Sequence, residues 1–202
     1  VVLSVPLGVL TAVRQNRFSD YLIRFLSFLG NAMPSFLLSL LLLYLFALRL
    51  GLLPVLAGGS VKGLILPTLA LALPMSGRYI RQVRAAILEQ LGKRYVAGAI
   101  SRGVRARTVL IRSVLRNAMT TILTLISLSV GSLLGGTAAV ERIFAWRGMG
   151  YMVMDAIFMR DYPVIQAFVV WMTILYVVIN LLTDLSYALF DPRARKGLGV
   201  RS

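Results

Sequence analysis

The chain has 202 residues, of which 58% are hydrophobic and only 14% charged, and its 22 basic and 7 acidic residues give a net charge of +15. A soluble domain is about half apolar and about a quarter charged, so this composition indicates a membrane protein. The sequence has no cysteine, which excludes disulfides and thiolate chemistry, and no histidine, which excludes Ser-His pairs and His-based zinc sites.

Uncharged stretches predict the membrane helices. Residues 1–13 are apolar but shorter than the about 20 residues that cross a bilayer, and they lack the features of a signal peptide, so we interpret them as part of a truncated helix. Three stretches are each long enough to cross alone: 25–48, 117–140 and 162–183. With the shorter stretch 63–77, the sequence predicts an all-α polytopic bundle of five membrane segments.

The stretch 63–77 is too short to span alone, and we expect its helix to continue through Arg78, Arg81 and Arg84. These arginines recur every three residues and share a broad helix face. They either snorkel toward the interface from the end of the helix or line an inner vestibule.

Prolines interrupt two of the predicted helices. Pro34 lies inside 25–48, and Pro67 and Pro74 lie inside 63–77. Because proline removes a backbone donor and clashes with the preceding turn, we expect kinks. The kinks are either ordinary features of membrane helices or mobile points in a gated pathway.

Basic residues predict the orientation of the segments. Residues 14–24, 78–116 and 184–202 fall on one side of the membrane and carry 17 basic residues, whereas 49–62 and 141–161 on the other side carry 5. The positive-inside rule places the first side in the cytoplasm. We therefore expect one transmembrane domain whose main cytoplasmic part is the helical loop 78–116.

The cytoplasmic stretch 93–117 has seven Lys or Arg residues and no acid. At its start, small and apolar residues recur at helical spacing, with the larger ones on one side: Tyr95, Val96, Ala97, Gly98, Ala99 and Ile100. Gly103 then accepts the left-handed geometry that ends a helix and turns the chain. The pattern predicts a short helix, a tight turn and a helix that returns to the membrane.

Three partners are conceivable for this basic stretch. Nucleic acid is disfavoured because the stretch has no aromatic stacking platform and is tethered close to the bilayer. A loop that touches anionic lipid and a helix that docks into a groove of another protein both remain open, and the small side chains suit docking better than membrane insertion.

A further pattern of small residues lies in the stretch 117–140. Gly131 and Gly135 are four residues apart, and Ser127 lies one turn earlier. Small residues at this spacing let helix backbones approach closely. They indicate either packing within the chain or a place on a pathway or subunit interface.

The sequence resembles a known family at several places. Ala99 and Gly103 have the spacing of the EAA loop of bacterial ABC-importer permeases, although Ala97 and Gly98 stand where that loop usually has Glu and Ala. Other stretches resemble signatures of the dipeptide, oligopeptide and nickel permeases: "ERIFAWRGMG" (141–150), "RDYPVIQA" (160–167), "DPRAR" (191–195) and the region from "VPLGVLTAV" to "NAMPSF" (5–36). Their order is similar to that of the first of the two permease subunits.

The resemblance implies a type I ABC-importer permease of a bacterial inner membrane, for peptides, nickel or a metal chelate. It implies a homologous second permease, two cytoplasmic ATPases and an extracytoplasmic binding protein as partners. Residues 93–103 would be the coupling helix, with Tyr95 to Ile100 and Gly103 against an ATPase. Since the chain has no P-loop, ATP and Mg²⁺ would bind to the ATPases and this chain would be neither an enzyme nor a cofactor protein.

On the outer side, Glu141, Trp146 and Asp161 are candidate contacts with the binding protein, or else interfacial residues. The alternative function is a secondary transporter or channel subunit that ATP does not drive. Such transporters usually need ionisable groups inside the membrane, and by our span assignment all seven acids lie at or beyond span ends. A membrane-embedded enzyme is disfavoured because no span has paired carboxylates.

Overall fold

The computed structural model describes residues 2–56, 58 and 60–190, and every regular element in these ranges is a helix. The α-helices are α1 (Ser4–Val13), α2 (Phe18–Ala32), α3 (Ser35–Leu42), α4 (Ile65–Leu91), α5 (Arg94–Ser101), α6 (Ala106–Val109), α7 (Leu115–Gly136), α8 (Ala138–Ile143), α9 (Met149–Met159) and α10 (Tyr162–Phe190). A π-helix (Leu43–Arg49) follows α3, a 3₁₀ turn (Lys62–Leu64) precedes α4, and a second π-helix (Leu110–Val114) joins α6 to α7. The all-α prediction is confirmed.

Three helical stretches of the described chain are long and apolar enough to cross a membrane, and a bent pair of helices supplies a fourth. They are Lys62–Leu91, Ala106–Leu133, Tyr162–Thr183 and the pair Phe18–Ala32 with Ser35–Arg49. With the ten-residue apolar helix α1, they account for the five predicted segments. The prediction that a helix continues through Arg78, Arg81 and Arg84 is confirmed, because α4 extends to Leu91.

The chain breaks at Pro34 more sharply than the sequence predicts. The helix α2 ends at Ala32, α3 begins at Ser35, and the chain bends by 101° between them. Pro34 has φ −58° and ψ 142°, an extended conformation that cannot continue a helix. In contrast, α4 runs through Pro74, and Pro67 lies in its first turn, where a helix needs no backbone donor.

The chain divides into two compact units, each made of separate segments. The first comprises Val1–Phe28, Ser76–Leu128 and Asn180–Ser202, and the second comprises Leu29–Met75 and Ser129–Ile179. That residues 1–202 form one transmembrane domain stays a prediction.

In the first unit, glycines allow α4 to lie against two other helices. A Cβ atom at Gly8 of α1 would lie 2.7 Å from Cβ of Val83, and one at Gly77 of α4 would overlap the carbonyl oxygen of Ser27. In a membrane the hydrophobic effect does not drive helices together, because lipid tails are as apolar as the side chains. Close approach of helix backbones provides the packing instead. The face of α4 that packs within this unit is almost completely buried: Tyr79, Ile80, Val83, Ala86 and Ile87.

A buried ion pair fixes the start of α2 to α4 in the same unit. The carboxylate of Asp20 has no exposed surface, and Arg84 donates to both of its oxygens, from Nε to Oδ1 at 3.2 Å and from Nη2 to Oδ2 at 3.1 Å. The backbone N–H of Asn16 donates to Oδ2 at 3.1 Å. Two guanidinium donors and one amide donor thus compensate for the loss of water around the carboxylate.

This ion pair adds to one expectation from the sequence and corrects another. Asp20 lies in the first turn of α2, at the end of a span as predicted, and it is also buried within the protein. The arginines of α4 do not act as one stripe, because Arg78 and Arg81 are exposed whereas Arg84 points toward Asp20. The sequence analysis missed the pair because 64 residues separate its members.

The second unit has its own apolar core. Its buried members come from three separate parts of the chain: Ala47, Leu66, Ala70, Val140 and Phe144. The helices α8 and α9 pack against each other so closely that a Cβ atom at Gly150 would lie 2.7 Å from Cα of Ala138. This core holds the segment 141–161, the predicted outer loop, to which the sequence assigned no structure.

We expect Arg84→Ala to destabilise the protein far more than Arg24→Ala, although both arginines approach the same carboxylate. Removing Arg84 leaves a buried charge without its main partner, at a cost of about 3–5 kcal/mol. Arg24 is 46% exposed and 3.9 Å from Asp20, so its loss is expected to cost less than about 1 kcal/mol. Thermal unfolding of the two variants in detergent measures the difference, and equal losses would contradict the assigned pairing.

Candidate functional site

The predicted short helix in the basic stretch is present as α5, in the first unit. It begins after Lys93, whose extended ψ of 147° breaks the chain away from α4. Two contacts join it to the end of α4: the hydroxyl of Tyr95 donates to Oε1 of Gln90 at 3.1 Å, and the ammonium of Lys93 lies 3.1 Å from Glu89. The helix α5 is therefore attached to a long helix that is a candidate membrane span.

The end of α5 has the hydrogen bonds of a Schellman motif. The N–H of Gly103 donates to the carbonyl of Ile100 at 2.9 Å, and the N–H of Val104 donates to that of Ala99 at 3.2 Å. Gly103 has φ +80°, in the left-handed region that favours glycine. The predicted turn at Gly103 is confirmed, and it sends the chain directly into α6 and the following helices.

The surface that α5 exposes differs from the face that the sequence indicates. Val96 is only 4% exposed and packs inside the first unit, and Tyr95, Gly98 and Ala99 are half-buried. The exposed residues of the helix and its turn form a surface that we call the α5 face: Lys93, Arg94, Ala97, Ile100, Ser101, Arg102, Gly103 and Val104. Val96 therefore anchors α5, and a partner would contact the α5 face instead.

The α5 face combines an apolar centre with a cationic border. Ala97 and Ile100 are three residues apart in α5, so they lie on one side of the helix, and Ile100 is half exposed. Val104 is exposed directly after the turn at Gly103. Lys93, Arg94 and Arg102 surround them. A small apolar surface with positive charge at its edge can dock into an apolar groove with an acidic rim.

On the outer loop, Glu141 has a structural role in the second unit. Its carboxylate accepts a hydrogen bond from the hydroxyl of Thr137 at 2.7 Å and another from the backbone N–H of Tyr151 at 2.9 Å. Tyr151 lies in the first turn of α9, where backbone donors lack partners within the helix. The side chain also packs on Gly148, where a Cβ atom would overlap the carboxylate. Glu141 therefore caps α9.

The other two predicted outer contacts have different surroundings. Trp146 is half-buried and packs against the core of the second unit, so it is mainly a packing residue. Asp161 is exposed, and its carboxylate accepts a hydrogen bond from the N–H of Val164 at 3.3 Å at the start of α10. Of the three residues, Asp161 presents the most surface to a partner.

The small residues of α7 contact α10. A Cβ atom at Gly131 would lie 2.9 Å from the ring of Tyr176, and the hydroxyl of Thr183 donates to that of Ser127 at 2.9 Å. Both contacts favour packing within the chain over a pathway or subunit interface. Gly135 lies in α7, but its surroundings fall outside the described residues, as does the stretch 191–195.

Comparison with known proteins identifies the family. The model of the binding-protein-dependent transport system inner membrane component family matches residues 4–196. The chain belongs to this family. The chain is 38% identical to a putative peptide permease protein of Brucella ovis, over 96% of the chain and 64% of the relative.

Two other relatives carry different names. The permease is 34% identical to the metal-staphylopine import system permease protein CntB of Staphylococcus aureus, over 98% of the chain and 63% of that protein. It is 36% identical to the glutathione transport system permease protein GsiC of Escherichia coli strain K12, over 96% of the chain and 64% of that protein. The permease thus spans slightly less than two thirds of the length of these relatives.

We expect Glu141→Ala to destabilise the outer loop of the permease. The substitution leaves the N–H of Tyr151 and the hydroxyl of Thr137 without their acceptor, and each unsatisfied group costs about 1–3 kcal/mol. Glu141→Gln keeps one acceptor oxygen and should retain part of the stability. Hydrogen exchange of α9 amides measures the effect, and Asp161→Ala is the exposed control. Unchanged protection of α9 in Glu141→Ala would contradict the capping role.

Proposed function

We propose that this chain is the permease subunit of an ATP-driven importer and that the α5 face couples it to an ATPase. The observation that carries this proposal is the structure of α5, a short helix anchored by Val96 and ended by the turn at Gly103. On one side α5 follows α4, and on the other it leads through α6 into α7. Family membership is the second support.

The contacts of α5 indicate how motion of a bound ATPase would be transmitted through α5 to the membrane helices. The anchor at Val96 and the hydrogen bond between Tyr95 and Gln90 restrict motion of α5 against the end of α4. The Schellman motif restricts motion at the other end. When the ATPases close on ATP, a partner that holds the α5 face moves α4 and α7 with it, and the membrane helices exchange inward-open and outward-open states.

The partners of the proposed transporter follow from the family. We infer a homologous second permease, two ATPases that bind ATP and Mg²⁺ on the cytoplasmic side, and a substrate-binding protein on the outer side of a bacterial inner membrane. Asp161 is the exposed outer residue that supports a contact with the binding protein. Glu141 and Trp146 support that contact indirectly, because they shape the outer loop.

The support for a substrate class comes from the names of the relatives, which are permeases for a peptide, for glutathione and for metal-staphylopine. We propose that this permease transports a compound of that class. Binding assays on the binding protein encoded beside this subunit would identify the compound.

Secondary transport is the second candidate, and the ion pair of the first unit weighs against it. A buried carboxylate that carries a proton or a sodium ion must be free to change partners during transport. Asp20 instead holds two guanidinium donors and a backbone amide. Among the described residues, no group of three acids could hold a metal ion.

We expect Gly103→Val to uncouple ATP hydrolysis from transport in the assembled complex. A β-branched residue at φ +80° costs about 1–3 kcal/mol in backbone strain, so the Schellman motif should open and α5 should lose its fixed angle. The measurement is substrate-stimulated ATPase activity, which should fall toward the basal rate. Gly103→Asn is the matched control, since asparagine tolerates this conformation and no atom lies near a new Cβ. Equal stimulation in Gly103→Val and the parent protein would overturn the coupling role.

We also expect substrate uptake to require the ATPases. The test reconstitutes the permease pair in vesicles with the binding protein and either the native ATPases or ATPases that bind but do not hydrolyse ATP. Uptake should stop with the inactive ATPases, because this chain lacks a phosphate-binding loop. Uptake at the same rate in both preparations would favour the secondary transporter.

A further inference from the structure

A surface cavity with two guanidinium groups lies at the beginning of the helix that leads into α7. Its volume is about 390 Å³, and its lining consists of Arg107, Thr108, Ile111 and Arg112. Both arginines and Ile111 are exposed, and Thr108 is half-buried. The cavity therefore offers two planar cations, a hydroxyl and an apolar side chain at one place.

The π-helix Leu110–Val114 helps bring the two arginines together. Side chains five residues apart point in clearly different directions in an α-helix, whereas a π-helical turn closes over five residues and moves them toward a common face. The other π-helix of this chain shows the effect, since Nε of Arg49 donates to the hydroxyl of Tyr44, five residues earlier, at 3.0 Å. Turns of this kind occur frequently at functional sites.

The protein supplies no counter-charge for the cavity within its described part. In the first unit, the acids with described side chains are Asp20 and Glu89, which pair with Arg84 and Lys93. Arg107 and Arg112 have no hydrogen bond or ion pair among the described residues. Two neighbouring guanidinium groups without an acid partner can bind an anion from outside the chain through their planar donors.

The position of the cavity along the helix indicates that a lipid headgroup supplies the anion. The candidate span that contains the cavity runs from Ala106 to Leu133. Its 28 residues correspond to about 42 Å of helix, which is about the thickness of a bilayer with its headgroups. The residues of the cavity lie in the first two turns of this span and therefore at the level of the headgroups. Ile111, which is 52% exposed, can contact the start of an acyl chain.

We propose that this cavity binds the phosphodiester headgroup of an anionic phospholipid. Arg107 and Arg112 hold the phosphate oxygens through their planar donors, and the hydroxyl of Thr108 supplies a further donor. Bound lipid ties the start of the span beside the α5 face to the bilayer. The proposed lipid site requires only that this helix spans a membrane. It is therefore independent of the proposed coupling to an ATPase.

The test measures lipid binding by the assembled transporter in detergent micelles. Phosphatidylglycerol is titrated against phosphatidylcholine, and the rise in melting temperature gives an apparent affinity. We expect Arg107→Gln/Arg112→Gln to weaken the affinity for phosphatidylglycerol by about 30-fold, because each arginine near anionic lipid contributes about a factor of five. Arg107→Lys/Arg112→Lys keeps the charge but loses the planar donors, and it should give a smaller loss.

Three controls make the proposal falsifiable. Arg14→Gln/Arg17→Gln removes two exposed arginines of the same unit, and an equal loss in that variant would reduce the effect to net charge and overturn the site. Inorganic phosphate at the same concentration should not stabilise the protein, and equal stabilisation would show a site for soluble anions. Lipid protection should persist with the ATPases bound, and its disappearance on assembly would assign the cavity to the protein interface.

Discussion

The structure depends on one constraint, which is that hydrocarbon offers no partner to a backbone N–H or C=O group. Long helices satisfy this constraint within each segment, and α4 and α10 extend well beyond the predicted uncharged stretches. At two breaks of the described chain, another group satisfies the backbone groups that the break leaves free. The Schellman motif supplies donors to the last carbonyl groups of α5, and the carboxylate of Glu141 accepts a hydrogen bond from a backbone N–H in the first turn of α9.

Charged side chains obey a related constraint. A buried or half-buried carboxylate needs donors around it, and two carboxylates of the described chain use their partners to join separate helices. Asp20 connects the start of α2 with α4, and Glu141 connects α8 with the first turn of α9. Cations without such partners, as at Arg107 and Arg112, remain at the surface, where an external anion or a partner protein can meet them.

Local sequence signals predicted much of the fold and part of the candidate site. The long α4, the short helix α5 and the turn at Gly103 each depend on neighbouring residues, so composition and spacing were sufficient to find them. The exposed surface of α5 could not be found in this way. Helical spacing placed Val96 and Ile100 on one side, but only packing within the first unit shows that Val96 is covered and Ile100 is not.

By itself, the sequence determined that this protein is an all-α membrane protein, and it predicted loops that are strongly basic on one side. These properties follow from hydrophobic length and charge, which every stretch of the chain carries locally. Tertiary structure decided which charges are structural and which are available to partners. Asp20 and Arg84 are 64 residues apart, and Glu141 meets the N–H of Tyr151 only because α8 and α9 pack together. Such contacts arise from the folded path of the chain, which no local pattern specifies.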